Sequence, residues 1–381
     1  MANVLTNLAA DIFKAADVVG RELVGFIPAV TINADGSERV AKGDVVRASF
    51  TRAASPVDVS EAMTIPEGTD QTVDSKTLTI SNSRAVQIPY TGENVLHLNN
   101  GIGFETVYGD QIAQAMRALC NEIEADLAEE AYKNASRAFG TAGTTPFGSN
   151  FSEVAEVRQI LADNGMPMND GQASLVLNTV AGTNLRQLAQ LQKANEAGGT
   201  DLLRQGVLLD LQGLMMRESA QVQSHTKGTG ASYLLNDASS AIGDTTIAAD
   251  GGSGTILAGD VVTFNGDTNK YVVNTALAGG SFAIGGPGLR AALADNAAIT
   301  VGNSYTANVA FHRRALELAI RAPAVPNGGD AADDALTVQD PVSGLVFEVR
   351  VYRGYRKTMI EVAVAWGVKA WKPDYIATLM G

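Results

Sequence analysis

From Val107 to Ala138, Ile112, Met116, Leu119, Ile123, Leu127 and Ala131 recur three or four residues apart and form one apolar stripe. Glu122, Asp126, Glu129, Glu130 and Lys133 fall on the other faces. No other stretch of the chain carries so long a helical period. At 1.5 Å per residue, about 30 residues make a rod of about 45 Å, a spine suited to a wide, thin domain. Gly140 is the expected terminator of this helix.

Before the spine, Leu5, Leu8, Ile12, Val19 and Leu23 predict an amphipathic helix over the first two dozen residues, ending near Gly25. Pro28 and the turn Asn33-Ala34-Asp35-Gly36 set it apart, so it packs on its own core or reaches a neighbour. Residues 37–90 read as extended, with strands at Asp44 to Phe50 and Lys76 to Ser81. Between these strands, Thr51 to Asp74 is rich in Thr, Ser, Pro, Glu and Asp and has too few apolar residues for a core. Loops longer than about 15 residues in a compact domain are functional or disordered. Reaching onto another subunit gives this one a purpose.

After the spine, Phe151 to Asn164 reads as a helix with Ser152 at its N-cap, stopped by Gly165 and Pro167. A buried strand at Ala173 to Leu177, a helix over Thr183 to Ala194 and short apolar runs at Leu202 to Leu209 and Gly213 to Ser219 follow. From Lys227 to Ala307 the helical period vanishes. Runs such as Val261 to Phe264 and Tyr271 to Val273 alternate with turn clusters, and Asn265-Gly266 marks a hairpin, which together predict an antiparallel barrel of about 80 residues. Phe311-His312-Arg313-Arg314 through Arg321 then restarts a helical pattern, as though an interrupted domain were resuming. An acidic loop, Asp330 to Asp334, precedes two long closing strands, Leu345 to Arg353 and Thr358 to Trp371, with Gly354 at their turn.

No constellation asks to be called catalytic. His97, His225 and His312 lie in unlike contexts, none in a His-Glu-x-x-His or Cys-x-x-Cys pattern. Adjacent Ser224 and His225 on a strand point to opposite faces. The glycine clusters 251–254 and 285–288 lack the Lys-Ser or Lys-Thr of a phosphate loop, and Asp333-Asp334 reads as a solvated acidic loop rather than a cation site. No enzyme, metal or cofactor is expected. The single Cys120 rules out an internal disulfide and suits a small buried hydrophobe. With neither a signal-peptide pattern nor an apolar run of about 18 residues, the expected place of synthesis is the cytoplasm.

In this order of elements, and in the wording around Phe311 to Arg321, the chain resembles the major capsid proteins of tailed phages, in the P22-like variety of the HK97-type capsid fold. The resemblance covers essentially the whole chain and implies an α+β fold. Its parts are an N-terminal arm (1–36), an extended loop with flanking strands (37–90), a spine-helix region of a peripheral domain (91–150), an axial domain (151–225), an inserted β-barrel (226–307) and a return helix with closing strands (308–381). It further implies self-assembly of hexamers and pentamers into an icosahedral shell around double-stranded DNA in the host bacterial cytoplasm. The partners would be a scaffolding protein and a portal at one vertex, with no membrane. The extended loop would lie across an adjacent subunit, making Arg47, Glu67, Asp70, Asp74, Lys76 and Arg84 candidate contacts.

Composition fits that picture. A chain of 381 residues holds two or three domains. Its 39 Gly and 18% charged residues suit surface buried against copies of itself. The net charge of −13 opposes direct wrapping of nucleic acid; it suits a wall that must not stick to packed DNA, and equally suits simple solubility. The same fold serves bacterial encapsulin-like nanocompartments, which stand as the alternative. A carbohydrate-binding or adhesive role for the barrel is weakened because both tryptophans, Trp366 and Trp371, lie outside it. A hydrolase is a more distant alternative.

Overall fold

The computed structural model describes residues 20–51, 56–59, 61, 63–65, 73–99, 104–193, 208, 210–237 and 240–381. The helix expected over the first two dozen residues lies almost wholly outside them, as does the run Leu202 to Leu209 apart from Leu208.

The spine helix spans Phe104–Lys133. Met116, Leu119, Ile123, Leu127 and Ala131 are buried in the largest core, which they share with Phe347, Val349, Ile360, Val362, Val364 and Trp366 from the closing strands. The polar faces of the helix act as pins. Asp126 accepts hydrogen bonds from Trp366 Nε1 at 2.8 Å and Asn82 Nδ2 at 2.6 Å, and Glu130 accepts from the Ala370 N–H at 3.0 Å. The helix stops at Lys133 rather than at Gly140. Gly140 ends the strand Arg137–Gly140, where φ is +95° and a Cβ would stand 2.7 Å from the Met380 carbonyl.

The spine lies on a sheet ordered Thr31–Val40, Leu316–Pro323, Lys357–Ala370, Val346–Gly354, Ala332–Gln339. Lys357–Ala370 is 14 residues long, enough to pair with Leu316–Pro323, Val346–Gly354 and also Asn82–Thr91. A second sheet runs Met215–Glu218, Ala173–Leu177, Tyr305–His312, Ile376–Met380, Arg137–Gly140. Helices Ser152–Asp163 and Thr179–Gln187 cover it through Val154, Val157, Leu161, Ala181 and Leu185. Lys270–Ala278 joins its edge and leads into six strands that close on themselves. The ring runs Tyr233–Leu235, Thr246–Asp250, Ser281–Ile284, Lys270–Ala278, Val261–Phe264, Ala298–Val301 and back, every pair antiparallel. Leu235, Ile247, Val262, Phe264, Phe282 and Ile284 fill it.

The return segment corrects the sequence reading. Phe311 to Arg321 is not a helix: Tyr305–His312 and Leu316–Pro323 are strands joined by the single 3₁₀ turn Arg313–Ala315. Tyr305–His312 runs between Ala173–Leu177 and Ile376–Met380, with Ala307 through His312 all buried. A strand covered on both faces has a continuous apolar run instead of an alternating one, and such a run matches a helical template as well. The turn carries the chain from the second sheet to the first.

Smaller corrections have local causes. The N-cap of Ser152–Asp163 is Phe151, while Asn150 Oδ1 takes the Ser152 N–H at 2.9 Å. The helix expected over Thr183 to Ala194 breaks at Leu188, whose ψ of 124° is extended, into Thr179–Gln187 and Ala189–Gln192. The acidic loop becomes the start of the edge strand Ala332–Gln339 once Arg350 and Tyr352 hydrogen-bond Asp330. The last hairpin turns through Tyr355-Arg356, with Arg356 at φ +53° taking the left-handed position expected of Gly354. Cys120 is buried, and burial pushes its thiol up to about 11.

Residues 21–27 are clamped along the spine. Arg21 donates twice to Asp340, at 2.7 and 2.9 Å, and Arg117 grips Glu22. Glu124, 1% exposed, accepts the consecutive N–H groups of Gly25, Phe26 and Ile27 at 2.5, 2.7 and 2.9 Å. Burial pushes its carboxyl up while these three donors oppose the shift. Gly25 admits no side chain, since a Cβ would stand 2.7 Å from the Glu218 carbonyl.

Replacing Glu124 with Ala strands three buried donors, and urea unfolding of the subunit should show a loss of about 3 kcal/mol. Acid should loosen the outer end of the clamp. Burial raises the Asp340 carboxyl, but Arg21 and Ser343 outweigh it and hold it at about 2, against an ordinary 3.8; Arg117 and Asn121 hold Glu22 at about 2, against 4.5. Both folded values are depressed, so this stabilisation is complete above about pH 4.5 and is lost as pH falls toward 2. Amide exchange at residues 21–23 should rise across that window, and Asp340→Asn should show the raised exchange on both sides of it.

Candidate inter-subunit surface

Strands Val45–Thr51 and Val73–Thr79 pair as an antiparallel hairpin in register from Val45 opposite Thr79 to Thr51 opposite Val73. Its base is seated on the body. Leu78 and Ile80 are fully buried with Val40, Ala319, Ala365 and Trp371, and Val46 and Ala48 pack against that cluster. Gly367 lies directly beneath the Thr79 carbonyl, leaving no room for a Cβ. The hairpin approaches this closely only because position 367 is glycine.

Beyond the base, the described apolar residues of the arm are exposed. Val57, Val59, Met63 and Ile65 are 81, 102, 106 and 94% exposed. Burying one such side chain contributes about 1.5–3 kcal/mol, so four of them withhold a large stabilisation until another surface covers them. Scattered exposed apolar residues are ordinary, but four within ten positions are a patch.

The charged candidates are dispersed. Arg47 is exposed on the hairpin opposite Thr77. Asp74 pairs through its backbone with Phe50. Lys76 donates its Nζ to the Trp371 carbonyl at 2.7 Å within the same chain. Arg84 sits in Asn82–Thr91 opposite Val364, its Nε 3.6 Å from Glu122 on the spine, both side chains half exposed or more. Glu67 and Asp70 lie outside the described residues. A reading based on charge missed the apolar four. Their sequence signal was the occurrence of Val57, Val59, Met63 and Ile65 in an otherwise polar stretch, with no period to attract notice.

Two histidines have carboxylate partners. His225 Nε2 lies 2.8 Å from Asp260 Oδ1, both buried where the barrel meets the spine, and Asp260 also accepts from the N–H groups of Gly228 and Leu257. His312 Nε2 lies 2.7 Å from Asp170, while its Nδ1 accepts the Arg314 N–H and caps the turn between the sheets. Both pairs are tied to backbone and serve packing. Among the described residues, no three His, Cys, Asp or Glu converge to hold a metal.

No protein-family model and no curated protein matches the chain by sequence. Solved structures do resemble it. A chain from the capsid of the Cyanophage P-SCSP1u aligns with a TM-score of 0.55 at 11% identity, covering 100% of this chain and 95% of that one. A chain from Mycobacterium phage Che8 aligns with a TM-score of 0.51 at 13% identity, over 99% and 98%. At these identities the likeness is one of fold, and it extends over nearly the full length of both chains. The fold of the described residues is therefore HK97-like.

Proposed function

We propose that this chain is the structural, non-enzymatic major capsid protein of a tailed phage, in the P22-like variety of the fold, and that many copies of it close an icosahedral shell around double-stranded DNA. The observation that carries the reading is the arm, whose base is locked to its own body while its apolar tip is left without cover. Such a limb is stabilised only when a neighbouring copy receives it. The end-to-end likeness to a phage capsid chain supports the same reading.

In this reading residues 37–90 form the arm that crosses to an adjacent subunit, 226–307 form an inserted barrel, and the segments between build the peripheral and axial parts. Arg47, Glu67, Asp70, Asp74, Lys76 and Arg84 contribute polar contacts at the rim, while the apolar tip supplies the greater part of the energy. Each junction is individually modest, so subunits add reversibly and the closed shell holds by number. A scaffolding protein guides assembly in the host cytoplasm, and a portal occupies one vertex. The acidic balance of the chain keeps the enclosed DNA from adhering.

Purified protein, alone or with its scaffold, should sediment as large closed particles that electron microscopy resolves as shells. A protein that stays monomeric under all such conditions would end this reading, and particles filled with enzyme cargo instead of nucleic acid would turn it toward a nanocompartment. Val59→Ser with Met63→Ser should leave the subunit's circular dichroism and melting unchanged. The same pair should raise the concentration needed for assembly about 100-fold, since two buried side chains contribute about 3 kcal/mol or more.

A further inference from the structure

The sequence holds the pairs Asn100-Gly101, Asn164-Gly165, Asn265-Gly266 and Asn327-Gly328. The first lies outside the described residues, and the other three place the same dipeptide in two opposite environments. Asn265 and Asn327 occupy equivalent places in exposed turns. Asp267 donates its N–H to the Phe264 carbonyl at 3.1 Å, and Gly329 donates to the Pro326 carbonyl at 3.0 Å, so each asparagine is second and its glycine third in a four-residue turn. Gly266 and Gly328 have φ of +97° and +98°, as the third position of a type II turn requires. Among the described residues, neither asparagine side chain and neither glycine N–H has a hydrogen-bond partner. Asn164 is held instead. Its Nδ2 donates to Ser136 Oγ at 3.0 Å and to the Asp374 carbonyl at 2.8 Å, and the Gly165 N–H is given to the Ala162 carbonyl at 2.9 Å.

Asparagine is among the thermally labile residues, and its chemistry needs what the first two pairs have and the third lacks. The glycine amide nitrogen, once it has given up its proton, attacks the asparagine Cγ. The new C–N bond closes a five-membered imide, the Cγ–Nδ2 bond breaks, and ammonia leaves with the proton. One water then opens the ring, at Cγ to give aspartate or at the main-chain carbonyl carbon to give isoaspartate, whose backbone is longer by one methylene. We infer that Asn265 and Asn327 are sites of spontaneous deamidation in the folded protein, and that Asn164 is spared by its hydrogen bonds. At Asn265 the change reaches further. Two residues on, Asp267 accepts the N–H and Nδ2 of Asn269 at 2.9 and 2.7 Å and the Tyr271 hydroxyl at 2.6 Å, while Asn269 Oδ1 accepts Arg137 Nη1 at 3.0 Å. This network ties the barrel to the strand Arg137–Gly140. A new carboxylate and an added methylene at position 265 strain it, so the joint between barrel and body loosens as the chain ages.

The test incubates the folded protein in mildly alkaline buffer, which deprotonates more of the glycine amide, and maps its peptides by mass spectrometry. Conversion at Asn265 and Asn327 should run at least about tenfold faster than at Asn164, where three hydrogen bonds must open first. In urea the three sites should convert at similar rates. Folded protein in which Asn164 keeps pace with the other two, or in which Asn265 and Asn327 convert only in urea, overturns the assignment. Amide exchange at residues 268–271 should rise in the converted protein and stay unchanged in Asn265→Ser incubated alongside, because serine cannot form the imide. Equal exchange before and after conversion overturns the loosened joint. Neither outcome depends on whether copies of the chain associate.

Discussion

One buried carboxylate fixes the geometry on which the rest of the molecule depends. Glu124 stands two thirds of the way along a 30-residue helix and takes three successive backbone N–H groups from the segment that leads into the first strand. Three donors converging on a group shielded from water give a rigid joint, because any slip leaves a donor unpaired. From that joint the chain enters Thr31–Val40, which pairs in parallel with Leu316–Pro323, and the first sheet is set relative to the spine. Asp126 and Glu130 hold the far side of the same helix to Lys357–Ala370. The apolar stripe provides cohesion, and the acids provide register.

This division sets a pinned body against an arm on which Val57, Val59, Met63 and Ile65 stand exposed. Most described elements of the body are buried on at least one face and pinned by a side-chain hydrogen bond or a strand pairing; the edge strand Ala332–Gln339 is largely exposed and is held by its pairing with Val346–Gly354. Among its described residues the arm is anchored at its root, by Leu78, Ile80, Val46 and Ala48 and by the Lys76 hydrogen bond to the Trp371 carbonyl. A subunit made this way folds first and satisfies its outlying surface later, which separates folding from association in energy as well as in space.

Parts of this were legible in the sequence because the physics was local. The stripe from Ile112 to Ala131 repeats a period long enough to leave no other interpretation, and Ala173 to Leu177 is an apolar run short enough to be a strand. The segment after the barrel was misread because Ala307 to Ala310, Ala315 and Ala319 blur the alternation that Leu316, Leu318 and Ile320 would otherwise show against Glu317 and Arg321. Nothing local in the sequence singles out Glu124, since its donors lie nearly a hundred positions away. Nor did the arm's apolar tip announce itself, because exposure without periodicity has no signature. Local period is readable from a single chain; long-range pairing of polar groups is not.

The six-stranded ring between residues 233 and 301 has a consequence for life at high concentration. Open sheets offer a row of unpaired backbone groups on which a foreign strand can grow, a hazard for any protein that accumulates in great numbers. By joining Ala298–Val301 back to Tyr233–Leu235 and Val261–Phe264 to Lys270–Ala278, the ring removes that template from the most strand-rich part of the chain. Adhesion between copies is thereby left to the surfaces shaped for it, and disorderly fibril growth loses its easiest starting point.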